Sequence, residues 1–293
     1  MRRNILVISF LLACIMIAGM NYFVNDEEEV NDYYLKTVVY KDSSGTLIPV
    51  SLNFYNNMDI EEEVLNRVDM MKSNEFQEEG LYPLLSHNLQ VNHVDLDHSI
   101  LTIDFNDELY ANHNALDIIE ALTYTLCDYK EVNELKLQIN GKEIHSIPNS
   151  NIVVSSLTNQ IGLNNFQKTT NHLHHTYPVM IYNIKTIKNH DYYVPTTTRI
   201  NEKQSLKQQI QTIISYIDPN IICQDAKMNN GNLKVTINSN ALLDDGTIDK
   251  EVLELMNLSL SSINHVNKVS FIVDNEVIVS ESVSLIRFNY IKI

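Results

Sequence analysis

The densest group of side chains able to move a proton is Asp104, Asn106, Asp107 and Glu108. Paired carboxylates at short range can divide the roles of general acid and general base. Here, however, Ile103 and Phe105 flank Asp104 in an alternating segment. With those two facing a core, Asp104 is expected to point to solvent, and Asp107-Glu108 to lie in the following loop as solvated or helix-capping residues. Asp95-Leu96-Asp97 opens like a calcium loop, but neither the turn glycine nor the closing glutamate follows. His172-x-His174-His175 has metal-like spacing, yet it sits in an Asn- and Thr-rich stretch without a nearby cysteine. No Gly-x-Ser-x-Gly, GxxxxGK[ST] or GxGxxG occurs. The sequence therefore leads us to expect no catalytic residue, no cofactor and no metal site, and a protein that is not an enzyme.

Cysteine chemistry points elsewhere. Leu11-Leu12-Ala13-Cys14 resembles a bacterial lipobox, which makes Cys14 a candidate for lipidation. The surrounding segment is also a candidate membrane span. Met1-Arg2-Arg3-Asn4 precedes Ile5 to Val24, twenty uncharged residues, and Asp26-Glu27-Glu28-Glu29 follows. That length suits one crossing of a hydrocarbon core, and the leading arginines favour an amino terminus in the cytoplasm. The run stays apolar past Cys14, and no Ala-x-Ala cleavage site follows it. A spanning anchor is the preferred reading, with lipidation and signal cleavage as alternatives; all three put the rest of the chain outside the cytoplasm. Cys127 and Cys223 are expected to be two buried free thiols.

Thirty-seven acidic residues against 21 basic ones give a net charge of -16. Such a surface repels phosphate backbones and anionic headgroups, so nucleic acid is an unsuitable partner. With 293 residues the chain is long enough for two domains, each with its own core.

The elements needed to position these residues recur. Ile100 to Phe105 alternates as a strand. Ala115, Ile118, Ile119, Leu122 and Leu126 form a helical stripe, and Leu135, Leu137 and Ile139 alternate again up to the turn Asn140-Gly141. The same order returns from Leu233 to Ile278. A gapless match places Ile237-Asn238 on Ile103-Asp104, Val266 on Val132, and Asp274-Asn275 on Asn140-Gly141. Each unit also begins with a hairpin: Leu35–Lys41 and Leu47–Phe54 in the first, Val179–Ile187 and Tyr192–Ile200 in the second. Pro49 confines its strand to an edge or a bulge, and Val194-Pro195 stands roughly where Pro49-Val50 does.

A helix then follows each hairpin. Asp59 caps the first, with Glu61, Glu62 and Glu63 read as a solvated first turn. Leu206, Ile210, Ile213, Ile214 and Ile217 form the stripe of its counterpart, which Asp218-Pro219 ends. Thr247 is expected to cap a last helix through Ser261. The expected organisation is an anchor and acidic spacer at 1–31, a first module at 32–168 and a second at 169–293.

Several segments together resemble the GerMN domain family of sporulation and spore-germination proteins. They are Leu47-Ile48-Pro49-Val50, Pro83-Leu84-Leu85, Ile103-Asp104-Phe105-Asn106, Thr125-Leu126-Cys127-Asp128 and Val132 to Gly141. The likeness covers nearly all of the chain after the anchor, as two tandem copies. It is stronger in the first, since Ser259-Leu260 replaces Thr125-Leu126 and Asn275 replaces Gly141 in the second. Met71-Lys72-Ser73-Asn74 stands where the family has Gly-Pro.

The resemblance implies an α+β fold of two small two-layer modules like the ring-building motif, with helices on one face of a sheet. It also implies an extracytoplasmic role in endospore formation or germination, with protein partners in the envelope or intermembrane space. Components of the channel complex between mother cell and forespore are among the partners that the resemblance leads us to expect. The competing expectation is an envelope module that binds a small ligand or wall fragment, as an accessory to a signalling protein.

Overall fold

The computed structural model describes residues 33–55, 58–110, 115–128, 131–146, 154, 157–165, 175–282 and 289–291. Cys14, the candidate anchor Ile5 to Val24, His172, His174 and the expected module boundary at 168/169 lie outside them. Among the described residues no helix is long and apolar enough to cross a membrane. The chain divides into two compact units. Met1–Tyr34 with Phe54–Asn57 form one, of which only the ends of two strands are described. Leu35–Asn53 with Met58–Ile293 form the other, which holds both repeats.

Both repeats carry one plan, so the mixed α+β class is as expected. The first has a hairpin, β1 (Tyr33–Lys41) and β2 (Leu47–Tyr55), and then α1 (Ile60–Met70). A sheet of β3 (Val91–Asp97), β4 (Ile100–Phe105), β5 (Glu134–Ile139) and β6 (Lys142–Glu143) follows, in that spatial order. Helix α2 (Ala115–Leu126) joins β4 to β5, which pair in parallel, while the outer pairs are antiparallel. The second repeat has the hairpin β7 (Thr176–Ile187) and β8 (His190–Asn201), then α3 (Leu206–Ile217). Its sheet is β9 (Cys223–Asn229), β10 (Asn232–Ile237), β11 (Lys268–Val273) and β12 (Glu276–Ser282). Helix α4 (Lys250–Ser261) makes the parallel crossover from β10 to β11.

Alternation fixes which side of each sheet is covered. Leu233, Val235 and Ile237 on β10 and Val269, Phe271 and Val273 on β11 are buried. They share one core with Ile210, Ile213 and Ile214 of α3 and Met256 and Leu260 of α4. In the first repeat Leu101, Ile103, Leu135 and Leu137 are the corresponding buried positions. Burying an aliphatic side chain stabilises by roughly 1.5–3 kcal/mol, so these stripes supply the main drive for the fold.

The match between repeats is not gapless. Ile103 lies opposite Leu137, 34 residues further on, whereas Val235 lies opposite Phe271, 36 residues further on. Ile237 therefore takes the place of Phe105, and Asn238 that of Asn106. Hydrogen bonding confirms the shift. Asn106 accepts from the backbone of Gln90 and donates to the carbonyl of Asn88, as Asn238 does with Ile222 and Asn220. The extra length lies in the longer connection between β10 and α4, which holds the turn at Asp245-Gly246. That turn also corrects the expected cap. Thr247 donates to Asp245, and the N-cap of α4 is Asp249, whose carboxylate accepts from Glu251 and Val252.

Candidate functional site

The two repeats meet along the hairpin edges that the prolines mark. At this seam one asparagine from the end of each repeat does the same work. Leu47 N–H donates to Oδ1 of Asn164 at 2.9 Å, and Nδ2 of Asn164 donates to the carbonyls of Leu47 at 2.7 Å and Pro195 at 3.0 Å. In the mirrored arrangement Tyr193 N–H donates to Oδ1 of Asn289 at 2.7 Å. Nδ2 of Asn289 donates to the carbonyls of Tyr193 at 2.8 Å and Pro49 at 2.7 Å. Each amide thus binds one backbone N–H and one carbonyl in its own repeat and a proline carbonyl in the other. Pro49 and Pro195 have no N–H to offer, so the strand edge there supplies acceptors alone. Both asparagines have positive φ, 48° for Asn164 and 61° for Asn289, a region this residue type tolerates. Ser51 and Tyr290 add a parallel bridge beside the second clamp.

Further contacts close the seam at its ends. Asp42, 5% exposed, sits in the β1–β2 turn; its Oδ1 accepts from Ser44 and Thr46, and its Oδ2 meets Nζ of Lys185 on β7 at 2.5 Å. Burial works against its charge, but the Lys185 hydrogen bond and those from Ser44 and Thr46 outweigh it and hold the carboxyl below the usual range. Gly162, at φ +76°, lies so close to Thr197 that an added Cβ would meet its side chain at 2.1 Å. Gly80, at φ +86°, faces Ile187 in the same way, at 2.5 Å. At either position a side chain would be strained by the positive φ and would force its neighbour across the seam to shift. A cavity of about 30 Å3, enough for one water, remains between Thr37, Ser51, Tyr124, Tyr182, Tyr193 and Asn289.

A second site, buried in the first repeat, was not read from the sequence. Arg67 on α1 is wholly buried. Its Nη2 donates to the carbonyls of Thr37, at 2.8 Å, and Thr125. Its Nη1 lies 3.5 Å from Glu63, and Asp128 stands 3.8 Å from Nη2. The guanidinium so closes the C-terminal end of α2, where a cation is favoured, and ties that helix to β1 and α1. Glu63, expected to be solvated, is 4% exposed and also faces Lys36 at 3.8 Å. The i,i+4 spacing of Glu63 and Arg67 was the one local signal for this pair.

The other carboxylates do not assemble into a site. Asp104 is buried rather than solvent-facing: it accepts from Gly141 N–H at 2.8 Å and from Asn92 at 3.2 Å, pinning the β5–β6 turn. Asp107 and Glu108 start a short 3-10 turn, as a solvated cap would. Asp95 and Asp97 lie on β3, where Asp97 meets His98 at 2.5 Å. No cluster suited to a metal ion is present among the described residues, which include His175 but neither His172 nor His174. Cys223 is buried and Cys127 only half-buried, a correction for the latter; both are free, and burial pushes each thiol up to about 11.

With this geometry the chain can be set beside known proteins. Residues 21–145 match the Germane domain, described as sporulation and spore germination. Over 104 residues it is 30% identical to the spore germination protein GerM of Bacillus subtilis (strain 168). That stretch is 34% of this chain and 28% of GerM, so less than a third of the relative's length is matched. The fold aligns with the tandem GerMN domains of the sporulation protein GerM from Bacillus subtilis at a TM-score of 0.71 and 21% identity. The alignment covers 83% of this chain and 92% of that one. Topology, repeat order and sequence agree that this is a GerM-like protein with the fold of tandem GerMN domains.

Proposed function

We propose that this chain is a non-enzymatic assembly protein of endospore formation or germination. In this reading a segment within 1–31 holds it at the membrane by a spanning anchor or a lipid on Cys14. The folded repeats stand outside the cytoplasm and dock on protein partners of the channel complex between mother cell and forespore. The observation that carries the reading is the seam, in which Asn164 and Asn289 bind backbone of both repeats at once. Side chains committed in this way serve to fix one repeat against the other, and a fixed pair presents one composite surface to a partner.

The test is crosslinking and capture from intact cells, once during growth and once at engulfment, with the native chain and with a seam-broken Asn164→Ala/Asn289→Ala variant. Recovery of channel proteins at engulfment by the native chain alone is the expected result. Equal recovery by the variant, or recovery of wall enzymes or a sensor kinase during growth, would contradict it.

A further inference from the structure

The sheet faces turned away from the two cores hold equivalent places in the repeats and carry opposite charge. On the first sheet Asp95 and Asp97 of β3, Glu134 of β5 and Glu143 of β6 share that face with one cation, Lys136. Asp104 lies on it too, but is taken up by Gly141 and Asn92. On the second sheet the face carries Lys227 of β9, Lys234 of β10 and Lys268 of β11, on three neighbouring strands. Lys227 stands directly opposite Lys234, and like charges so placed cost stability. Among the described residues Lys227 alone of the three has a carboxylate partner, Asp225 at 2.8 Å. Apolar groups accompany the charges: Val277, 62% exposed, with Ile272 beside it on the second face, and Ile100 on the first.

We infer that the basic face of the second sheet docks on the acidic face of the first sheet in another copy of this chain. A net charge of -16 makes a basic face the exception here, and the surface that complements it is present on every copy. Contact sets lysines against carboxylates and takes Val277, Ile272 and Ile100 out of water. Two copies repel each other as wholes. At about 0.15 M salt, however, charges more than about 8 Å apart are largely screened, while facing charges at contact are not. Pairing either face with itself would set like charges together, so the contact joins unlike faces. Each copy then keeps one unused face of each sign, and association passes beyond a dimer unless the row closes. The inference needs only these two faces and does not rest on the channel partners proposed above.

The test is sedimentation velocity of the full chain in a non-ionic detergent, over a range of protein concentrations. The native chain should form species larger than one copy at about 0.15 M salt and lose them at about 1 M. Lys227→Gln/Lys234→Gln/Lys268→Gln keeps only the acidic face, and Asp95→Asn/Asp97→Asn/Glu134→Gln keeps only the basic one. Each variant by itself should associate at least about tenfold more weakly than the native chain. Mixed in equal amounts, the two should form a complex of one copy of each and stop there, which also shows that both remain folded. A native chain that stays single at every concentration overturns the inference, as do variants that associate as strongly as it does. A mixture that gains nothing over its parts overturns it as well. So does a single native chain whose three lysines take up an oligoglutamate peptide, a result that assigns the face to an acidic partner instead.

Discussion

Helices α1 and α3 occupy the same place in the two repeats, and superposing their caps, Asp59 and Ser205, aligns them residue by residue. Val64 falls on Ile210, Val68 on Ile214, and Met71 on Ile217, all apolar and inward. Arg67 falls on Ile213, and both are 0% exposed. One repeat closes its helix pair around a guanidinium with Glu63 and two carbonyls; the other does so with a methyl-rich side chain and no charge. Since the second repeat folds to the same plan, the ion cluster is not a requirement of the fold. Buried ion pairs commonly do no better than well-packed apolar residues of similar volume, because desolvation cancels much of the attraction. What the cluster adds is a tie from α1 to the middle of β1, at Thr37, and to the carboxyl end of α2, at Thr125.

That comparison can be broken most sharply by transplanting its parts. Ile213→Arg should be the most damaging change, because the charge would enter an apolar core where Gln209, in the place of Glu63, carries no charge. The second repeat should lose cooperative melting by circular dichroism. Arg67→Ala should cost about 3–5 kcal/mol in urea unfolding, since it takes the buried cation from Glu63 and the donor from the Thr37 and Thr125 carbonyls. Glu63→Leu/Arg67→Ile should recover most of that loss; a double variant as unstable as Arg67→Ala would mean the cluster carries stability that Ile213 does not match.

The seam offers a smaller and more symmetric contrast. Asn164→Ala and Asn289→Ala should each cost about 1–3 kcal/mol, and by nearly equal amounts, because each removes the same three bonds. Hydrogen exchange should quicken at the amides that lose an acceptor, Leu47 in one variant and Tyr193 in the other.

Asp42 gives the pH dependence. Its folded pKa lies below the ordinary carboxylate value, so the stability it lends is complete above the unfolded value near 3.9 and is lost as pH falls through the folded one. The native chain should therefore lose seam stability below about pH 4, and Asp42→Asn should flatten that part of the profile. Smallest of all, neither thiol should react quickly with iodoacetamide at neutral pH, given values raised to about 11, and the half-buried Cys127 should lead Cys223.

Local patterns carried most of the fold. The stripe from Leu206 to Ile217, its stop at Asp218-Pro219 and the turn at Asn140-Gly141 were readable because period and turn chemistry lie within a few residues. Some corrections come from contacts made far along the chain, others from competition between neighbouring residues. Asp104 looked exposed by alternation, yet its acceptor role for Gly141, 37 residues away, draws it inside. Thr247 has the residue type of a cap, but its hydroxyl is taken by Asp245 two residues before it, and the capping falls to Asp249. The seam asparagines were the least legible. Asn164 lies in a polar stretch without regular hydrophobic spacing, and its partners Leu47 and Pro195 lie 117 and 31 residues away. Nothing in the spacing around Asn289 points to Pro49, 240 residues earlier.

The central claim is that the two repeats form one body because the asparagine clamps join them. Equilibrium urea unfolding, followed at once by probes placed in each repeat, tests it directly on the native chain and on Asn164→Ala/Asn289→Ala. The account predicts one coincident transition for the native chain and two separated transitions for the double variant. Two transitions in the native chain, or an unchanged single transition in the variant, would contradict it.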